Sequence, residues 1–319
     1  MKINLVYHTP RQLGSGYMGS EGLKRAFEDN GLLNYSFNQN SGEGLDVLKL
    51  QESPIFFVRG FLNGRIPIVA RSGNQFKACW QSESFYTRHG KQDSSTPVCL
   101  ENQNHFNMMF TCADTDLDMY EIPTYYLPSW SCIKVLDECG FPEFDGLGFI
   151  GGSQGREDFI EGDTRGILNC KRTKLFKDSV KTTRSLAELI SKFNFLVSPP
   201  GRCFNGMCGR AFEIMACNRL CFQYLNKDTM PIISEYFEDG RNIVYWEDWA
   251  ELYEKYDYYL EHPMEAKVIA NNGYDLVRSK HNEAVRAHYI VDCMAIEHKK
   301  WGEDQALIPD VINEIYANL

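Results

Sequence analysis

The sequence predicts an α/β protein of two medium-sized domains, and three observations carry that prediction. A strand over residues 2–7 runs through a glycine-rich segment into a helix. A second strand, beginning at Leu147, runs into another glycine turn. The stretch 198–226, SPPGRCFNGMCGRAFEIMACNRLCFQYLN, reads as a strand end, a glycine-containing loop, a short helix and a further strand. Strand, glycine turn and helix open the units of α/β nucleotide folds. A chain of 319 residues is long enough to give two such domains a substantial core.

Composition removes several other classes. No run of about 18 apolar residues is present, so no membrane-spanning helix is expected. The apolar run of MKINLVYHTP is too short for a secretory signal and goes directly into a strand. The 11 cysteines include no CxxC, and the pairs Cys203/Cys208 and Cys217/Cys221 lack partners at metal-site spacing. Buried free thiols in a reducing cytoplasm, with no metal site, are therefore expected. A net charge of −10 weighs against general polyanion binding but leaves room for a local basic patch. One exists between Arg165 and Lys192, where Lys171, Arg172, Lys174, Lys177, Lys181 and Arg184 meet only Asp178 and Glu188. It reads either as a solvated helix face or as a surface for phosphate.

In the first domain, residues 2–7 alternate into an apolar centre at Leu5 and Val6. The next segment holds Gly14, Gly16, Gly19 and Gly22, read as a loop, before an amphipathic helix over 23–30 closed by Gly31. Gly14-x-Gly16-x-x-Gly19 matches a dinucleotide fingerprint, although no acidic residue closes a second strand at the usual distance. Glycines there either let a ligand approach the backbone or make a plain flexible loop. Further strands are expected over 54–59, 76–81, 107–112 and 124–127. Ligands of open α/β sheets lie at the carboxyl ends of strands. Glu83, just past the strand over 76–81, is thus a candidate general base or a loop cap. His8, at the end of the first strand, is a second candidate base or a structural histidine.

Proline, glycine and acid around 141–145 mark a domain boundary. After it come the strand at Leu147, a turn with Gly151, Gly152, Ser153 and Gly155, and then Arg156. The basic segment leads to a helix over 185–192 and a strand over 193–197. In the 198–226 stretch a helix opening near Arg210 buries Ala211, Phe212, Met215 and Ala216. Asn218 sits where a helix ends in a left-handed residue. Glu213 is a carboxylate placed in the first turn of this apolar helix. It reads as a dipole partner or as an acceptor for ribose hydroxyls beside amides that face a diphosphate. A strand over 243–246, a helix over 249–260 with core packing by Trp249, Tyr253 and Tyr256, and a wholly helical tail from about 264 complete the chain.

Several motifs fall in a telling order: FIGGSQGRE, GRAFEIMACNRLCF, FEDGRNIVYWEDWAELYEKYDYYLEHP and KHNEAVR. The order resembles the C-terminal half of GT-B glycosyltransferases, and within them the CgeB-like group. The matching residues are Gly151, Gly152 and Arg156; Arg210, Phe212 and Glu213; Tyr258, Tyr259, Leu260 and Pro263; and His281 and Arg286. WQSESF (80–85) and TYYLPSW (124–130) are similar to the same group.

The resemblance implies two Rossmann-like domains facing across a cleft, with C-terminal helices crossing back to the first. The expected limits are 1–143 for the acceptor domain, 144–285 for the donor domain and 286–319 for the returning helices. It implies a nucleotide-sugar co-substrate and no separate cofactor. The donor would be held by Gly14, Gly16, Gly151, Ser153, Arg156, Lys174, Asn205, Arg210 and Glu213. Glu213 stands where the related enzymes bind ribose, whereas Asn205 replaces the first acid of their E-x(7)-E pattern. Arg210, Arg156 and Lys174 would neutralise the diphosphate without a metal. An inverting enzyme would use Glu83, or else His8, as base, while a retaining one needs neither. The acceptor is open: a hydroxymethylated DNA base, a glycan or a protein. Two other readings stand beside this one, a non-catalytic nucleotide or sugar binder and an NAD-dependent oxidoreductase using the first glycine fingerprint.

Overall fold

Two all-parallel sheets, wound in the same order, make up the fold. They are seen in a computed structural model that describes residues 1–7, 15–38, 46–50, 53–58, 75–81, 100–101, 103–134, 136–151, 156–170, 183–199, 207, 209–225 and 236–317. The first sheet contains β1 (Ile3–Tyr7), β2 (Leu33–Asn38), β3 (Ile55–Val58), β4 (Lys77–Gln81), β5 (Met108–Thr111) and β6 (Thr124–Tyr126). Its order is β2-β1-β3-β4-β5-β6. The second contains β7 (Phe144–Phe149), β8 (Leu168–Cys170), β9 (Phe193–Ser198), β10 (Leu220–Tyr224) and β11 (Val244–Trp246), in the order β11-β10-β9-β7-β8. In both, the chain steps from the starting strand to one side and then returns to its other side. The topological switch therefore falls between β1 and β3, and again between β7 and β9. Ligand crevices of such sheets open at the carboxyl ends of the strands flanking that point.

The helices are α1 (Ser15–Asp29), α2 (Val47–Leu50), α3 (Glu157–Glu161), α4 (Thr183–Ser191), α5 (Gly209–Ala216), α6 (Trp249–Glu261), α7 (Pro263–Lys280) and α8 (Glu283–Ala317). The strands β1, β3, β4 and β5 are buried at every position, because parallel sheets covered on both faces leave no polar side. α1 contributes Leu23, Ala26 and Phe27 to the core over the first sheet. α8 contributes Ala287, Ile290, Val291 and Met294 to the same core. Hence the last helix crosses back from the second sheet to the first. Trp80 and Trp130, one from each of the two first-half motifs, pack at 4.6 Å with their rings tilted by 37°, and Trp80 Nε1–H donates to Leu127 O at 3.2 Å.

Three expectations need correction. Residues from Ser15 onward are helix, so Gly16 and Gly19 lie in α1 and do not form a dinucleotide-type loop. Gly22 is required there by packing across the chain: a Cβ at this position would sit 2.0 Å from Cys132 Sγ. β2 was not anticipated, because this edge strand is only half-buried and reads as polar. Residues 168–170, inside the basic segment, form the edge strand β8 and not part of a helix face. Among the described residues, Cys79, Cys112, Cys132, Cys217, Cys221 and Cys293 are buried and in no disulfide, and Cys139 is half-buried. No described helix is long and apolar enough to cross a membrane.

Gly22→Ala is expected to lower stability by about 1–3 kcal/mol, the usual range for overpacking a filled core. Cys132→Ala in the same chain should restore most of it, because the sulfur is the atom in the way. Chemical denaturation of the two variants checks this.

Candidate donor site

The second switch point brings β7 and β9 side by side, in register from Leu147 with Phe195 and Gly148 with Leu196. Gly148 makes that pairing close, since a Cβ there would meet the Phe193 ring at 2.6 Å. Past the end of β7 come Gly151 and Arg156, the residue that starts α3. Past the end of β9, the chain returns as α5.

The sequence makes α5 a short, fixed helix. Ala211, Phe212, Ile214, Met215 and Ala216 are all buried. Asn218 ends it in the left-handed region at φ 54°. There Asn218 N–H donates to Met215 O at 2.9 Å and Arg219 N–H to Ile214 O at 3.3 Å, which satisfies the last carbonyls. The Asn218 side chain also donates to Glu138 at 3.1 Å, so asparagine serves in place of the more usual glycine. α7 closes over the outer side, where Gly273 admits Asn242 O and Met215 against its backbone.

Glu213 is the oddity of this helix. It is 2% exposed, and its Oε2 lies 2.6 Å from Arg210 Nη1 in an i,i+3 ion pair. The approach is close but poorly directed: neither atom has a hydrogen-bond partner among the described residues. Burial pushes the Glu213 carboxyl above its ordinary pKa, with Arg210 opposing. The helix begins at Gly209, so Glu213 falls in its second turn and not, as expected, in its first. Dipole stabilisation fades within the first turn, which removes that explanation of the carboxylate. A buried carboxylate oxygen and guanidinium nitrogen, both without a directed partner, are rare inside a folded protein and call for an explanation beyond packing.

The other expected site residues divide into two groups. Gly16 is the second residue of α1, while Gly151 and Arg156 follow β7 as described. His8, Gly14, Glu83, Ser153, Lys174 and Asn205 lie outside the described residues. The described ends of the basic segment are engaged within the protein. Arg165 donates to both oxygens of Asp257 at 2.8 and 2.9 Å and lies over the Tyr253 ring, and Lys192 pairs with Glu143 at 2.8 Å. Trp249 stacks on Phe159 at 4.9 Å and Tyr256 is buried, as expected of core aromatics.

Sequence reasoning alone did not assign the seam between the two sheets. Ser131 bridges to Asn282, and its N–H donates to His281 O at 3.0 Å. Ile133 N–H donates to Glu283 at 3.0 Å. Burial and then Glu283 push the Cys132 thiol well up against the opposing Arg25. The H-x(4)-R spacing of His281 and Arg286 was the available signal.

This architecture is the GT-B fold: two Rossmann-like units facing across a cleft, with the C-terminal helix crossing back to the first. Similar solved structures include sucrose-phosphate synthase from Thermosynechococcus elongatus, at 12% identity and TM-score 0.65, covering 92% of this chain and 98% of that one. HepE of Anabaena, solved with UDP and glucose, matches at 11% identity and TM-score 0.61, covering 92% and 100%. An α-glucosyltransferase in complex with UDP and a 13-mer DNA containing an HMU base matches at 11% identity and TM-score 0.54, again covering 92% and 100%. Residues 174–292 match the model of a family described as glycosyl transferase-like. The chain thus shares the GT-B fold and, over residues 174–292, is similar to a glycosyl transferase-like family; the CgeB-like group is not singled out. No curated protein sequence matches it.

Proposed function

We propose that the protein is a glycosyltransferase that moves a sugar from a nucleotide-sugar, with UDP as the leading nucleotide, to an acceptor hydroxyl. The observation that carries this reading is the pairing of buried Glu213 with partly exposed Arg210 on the helix that follows the second switch point. Glu213 accepts hydrogen bonds from the ribose hydroxyls. Arg210, with Arg156 and Lys174, meets the charge that develops on the diphosphate as the glycosidic bond breaks. Fixed cations are most effective in such a place, because they need no reorganisation as charge appears. Gly14, Gly151 and Ser153 let backbone approach the donor, and Asn205 offers an amide where related enzymes carry an acid. Glu83, or His8 in its stead, takes the acceptor proton if the anomeric configuration inverts. UDP in the HepE complex supports the choice of nucleotide.

The acceptor class is less constrained. The fold neighbour bound to DNA favours a modified base, and the net charge of −10 argues for a glycan or protein. Hydrolysis of UDP-, GDP- and ADP-sugars by the purified protein, with and without EDTA, tests the donor half. Release of UDP that survives EDTA is expected. Nucleotide binding without turnover of any donor would instead favour a non-catalytic binder. Transfer to hydroxymethylated DNA that weakens steeply with salt would select the DNA version.

A further inference from the structure

His281 and Arg286 form a buried polar pair at the point where the chain leaves α7 and enters α8. Arg286 Nη2 lies 2.5 Å from His281 Nδ1, and Nη1–H donates to Lys280 O at 3.4 Å. Since a guanidinium only donates, Nδ1 is the acceptor and the imidazole is neutral with its proton on Nε2. The ring packs against Phe237 at 4.9 Å, Tyr236 at 5.4 Å and Phe212 at 5.6 Å. Phe212 immediately precedes Glu213 on α5. On the other side, Arg286 is followed by Ala287 and Ile290, which lie in the core over the first sheet. The pair therefore bridges the helix that returns to the first sheet and the helix that carries Arg210 and Glu213.

The segment between them is pinned. Asn282 Oδ1 accepts from Ala284 N–H at 2.9 Å and Val285 N–H at 3.0 Å, capping α8. Ser131 N–H donates to His281 O, and Glu283 accepts from Ile133 N–H, so both passages of the chain between the sheets are tied here. His281 Nε2 and Arg286 Nε have no hydrogen-bond partner among the described residues. An apolar pair would fill this volume without a buried guanidinium. Buried ion and polar groups of this kind fix geometry more readily than they add stability.

We propose that His281 and Arg286 are positioning residues for the donor site: through Phe212 they hold α5, and with it Glu213, at a set place relative to the returning helix. This rests on the nucleotide-sugar reading above. The test uses the full-length Arg286→Met and Arg286→Lys variants, with UDP-glucose as the probe. Arg286→Met is expected to raise KM for UDP-glucose about tenfold while kcat changes by less than about threefold, the pattern of lost ground-state binding. In the absence of ligand, the amides of residues 211–216 should exchange faster than in the wild type, within a folded protein. Arg286→Lys, which can still donate to Nδ1, should recover part of both changes and serves alone if Arg286→Met does not fold. Wild-type KM in a folded variant overturns the proposal, and so does faster exchange with an unchanged KM, since the pair would then hold the fold and not the site. A wild-type protein that neither binds UDP nor turns over UDP-glucose would defeat the nucleotide-sugar reading itself, and the exchange at α5 would still report whether the pair restrains that helix.

Discussion

Glu213→Gln is expected to weaken UDP binding by at least about tenfold, about 1.4 kcal/mol, while raising the melting temperature of the ligand-free protein at pH 7. Glu213→Ala should lose binding to the same degree. The stability half follows from linkage. Burial holds the folded carboxyl above its usual pKa of 4.5, with only Arg210 opposing. The native state therefore binds the proton more tightly than the unfolded chain, and stability from this group rises as pH falls. The cost is complete above the folded pKa and fades as pH drops toward 4.5. A neutral amide removes it and can still accept from Arg210, whose side chain is 17% exposed and so retains some hydration. Thermal melts at pH 7 and 4.5 should show the gain at pH 7 shrinking at the lower value. Groups kept for a ligand at the expense of the empty fold commonly behave in this way. Wild-type UDP affinity in the glutamine variant, measured by calorimetry, would end the ribose assignment.

How far the site was legible in the sequence depends on how local its causes are. The helix 209–216 and the left-handed Asn218 follow from apolar spacing and cap chemistry within a dozen residues, and both were readable. Arg210 and Glu213 stand three apart, a spacing at which helical side chains meet, so the ion pair was within reach. What hid it was the helix start: placing it at Arg210 put Glu213 in the first turn, where a dipole partner is an adequate explanation. The glycines of α1 misled for the opposite reason. Glycine is a poor helix residue, and what allows Gly22 in α1 is the sulfur of Cys132, 110 residues further on in sequence. β2 and β8 escaped because edge strands need only one paired side and lack the continuous apolar run of central ones. His281 and Arg286 were visible as a spacing, but the contact crosses a helix break at Asn282, and no periodicity carries across a break. The candidate bases Glu83 and His8 rest on sequence position alone, after β4 and β1, and both lie outside the described residues.

The same buried imidazole predicts an unusual acid response. His281 is held down to about 3 by burial, with Arg286 and Lys280 adding to the effect, against 6.5 for the exposed ring. In the unfolded chain it takes up a proton as pH falls below 6.5, and in the fold it does not. Its contribution to stability is therefore complete above pH 6.5 and is lost progressively down to about pH 3. Each unit crossed removes about 1.4 kcal/mol, so about 2 kcal/mol should disappear between pH 7 and 5 from this residue alone. Carboxylates held low by cations, such as Glu138 by Arg219 and Asp257 by Arg165, add their losses at lower pH, because their unfolded values lie near 4. The two regimes are separable. His281→Phe keeps an aromatic ring against Phe212 and Phe237 but cannot titrate. The variant should start less stable at pH 7, with Arg286 deprived of its acceptor, yet lose little between pH 7 and 5 while the wild type loses steadily. Denaturant unfolding at pH 7, 6 and 5 reads the slope directly. Equal slopes in the two proteins would mean that His281 takes up its proton in the fold as readily as in the unfolded chain, and Arg286 could then no longer donate to Nδ1 at pH 5.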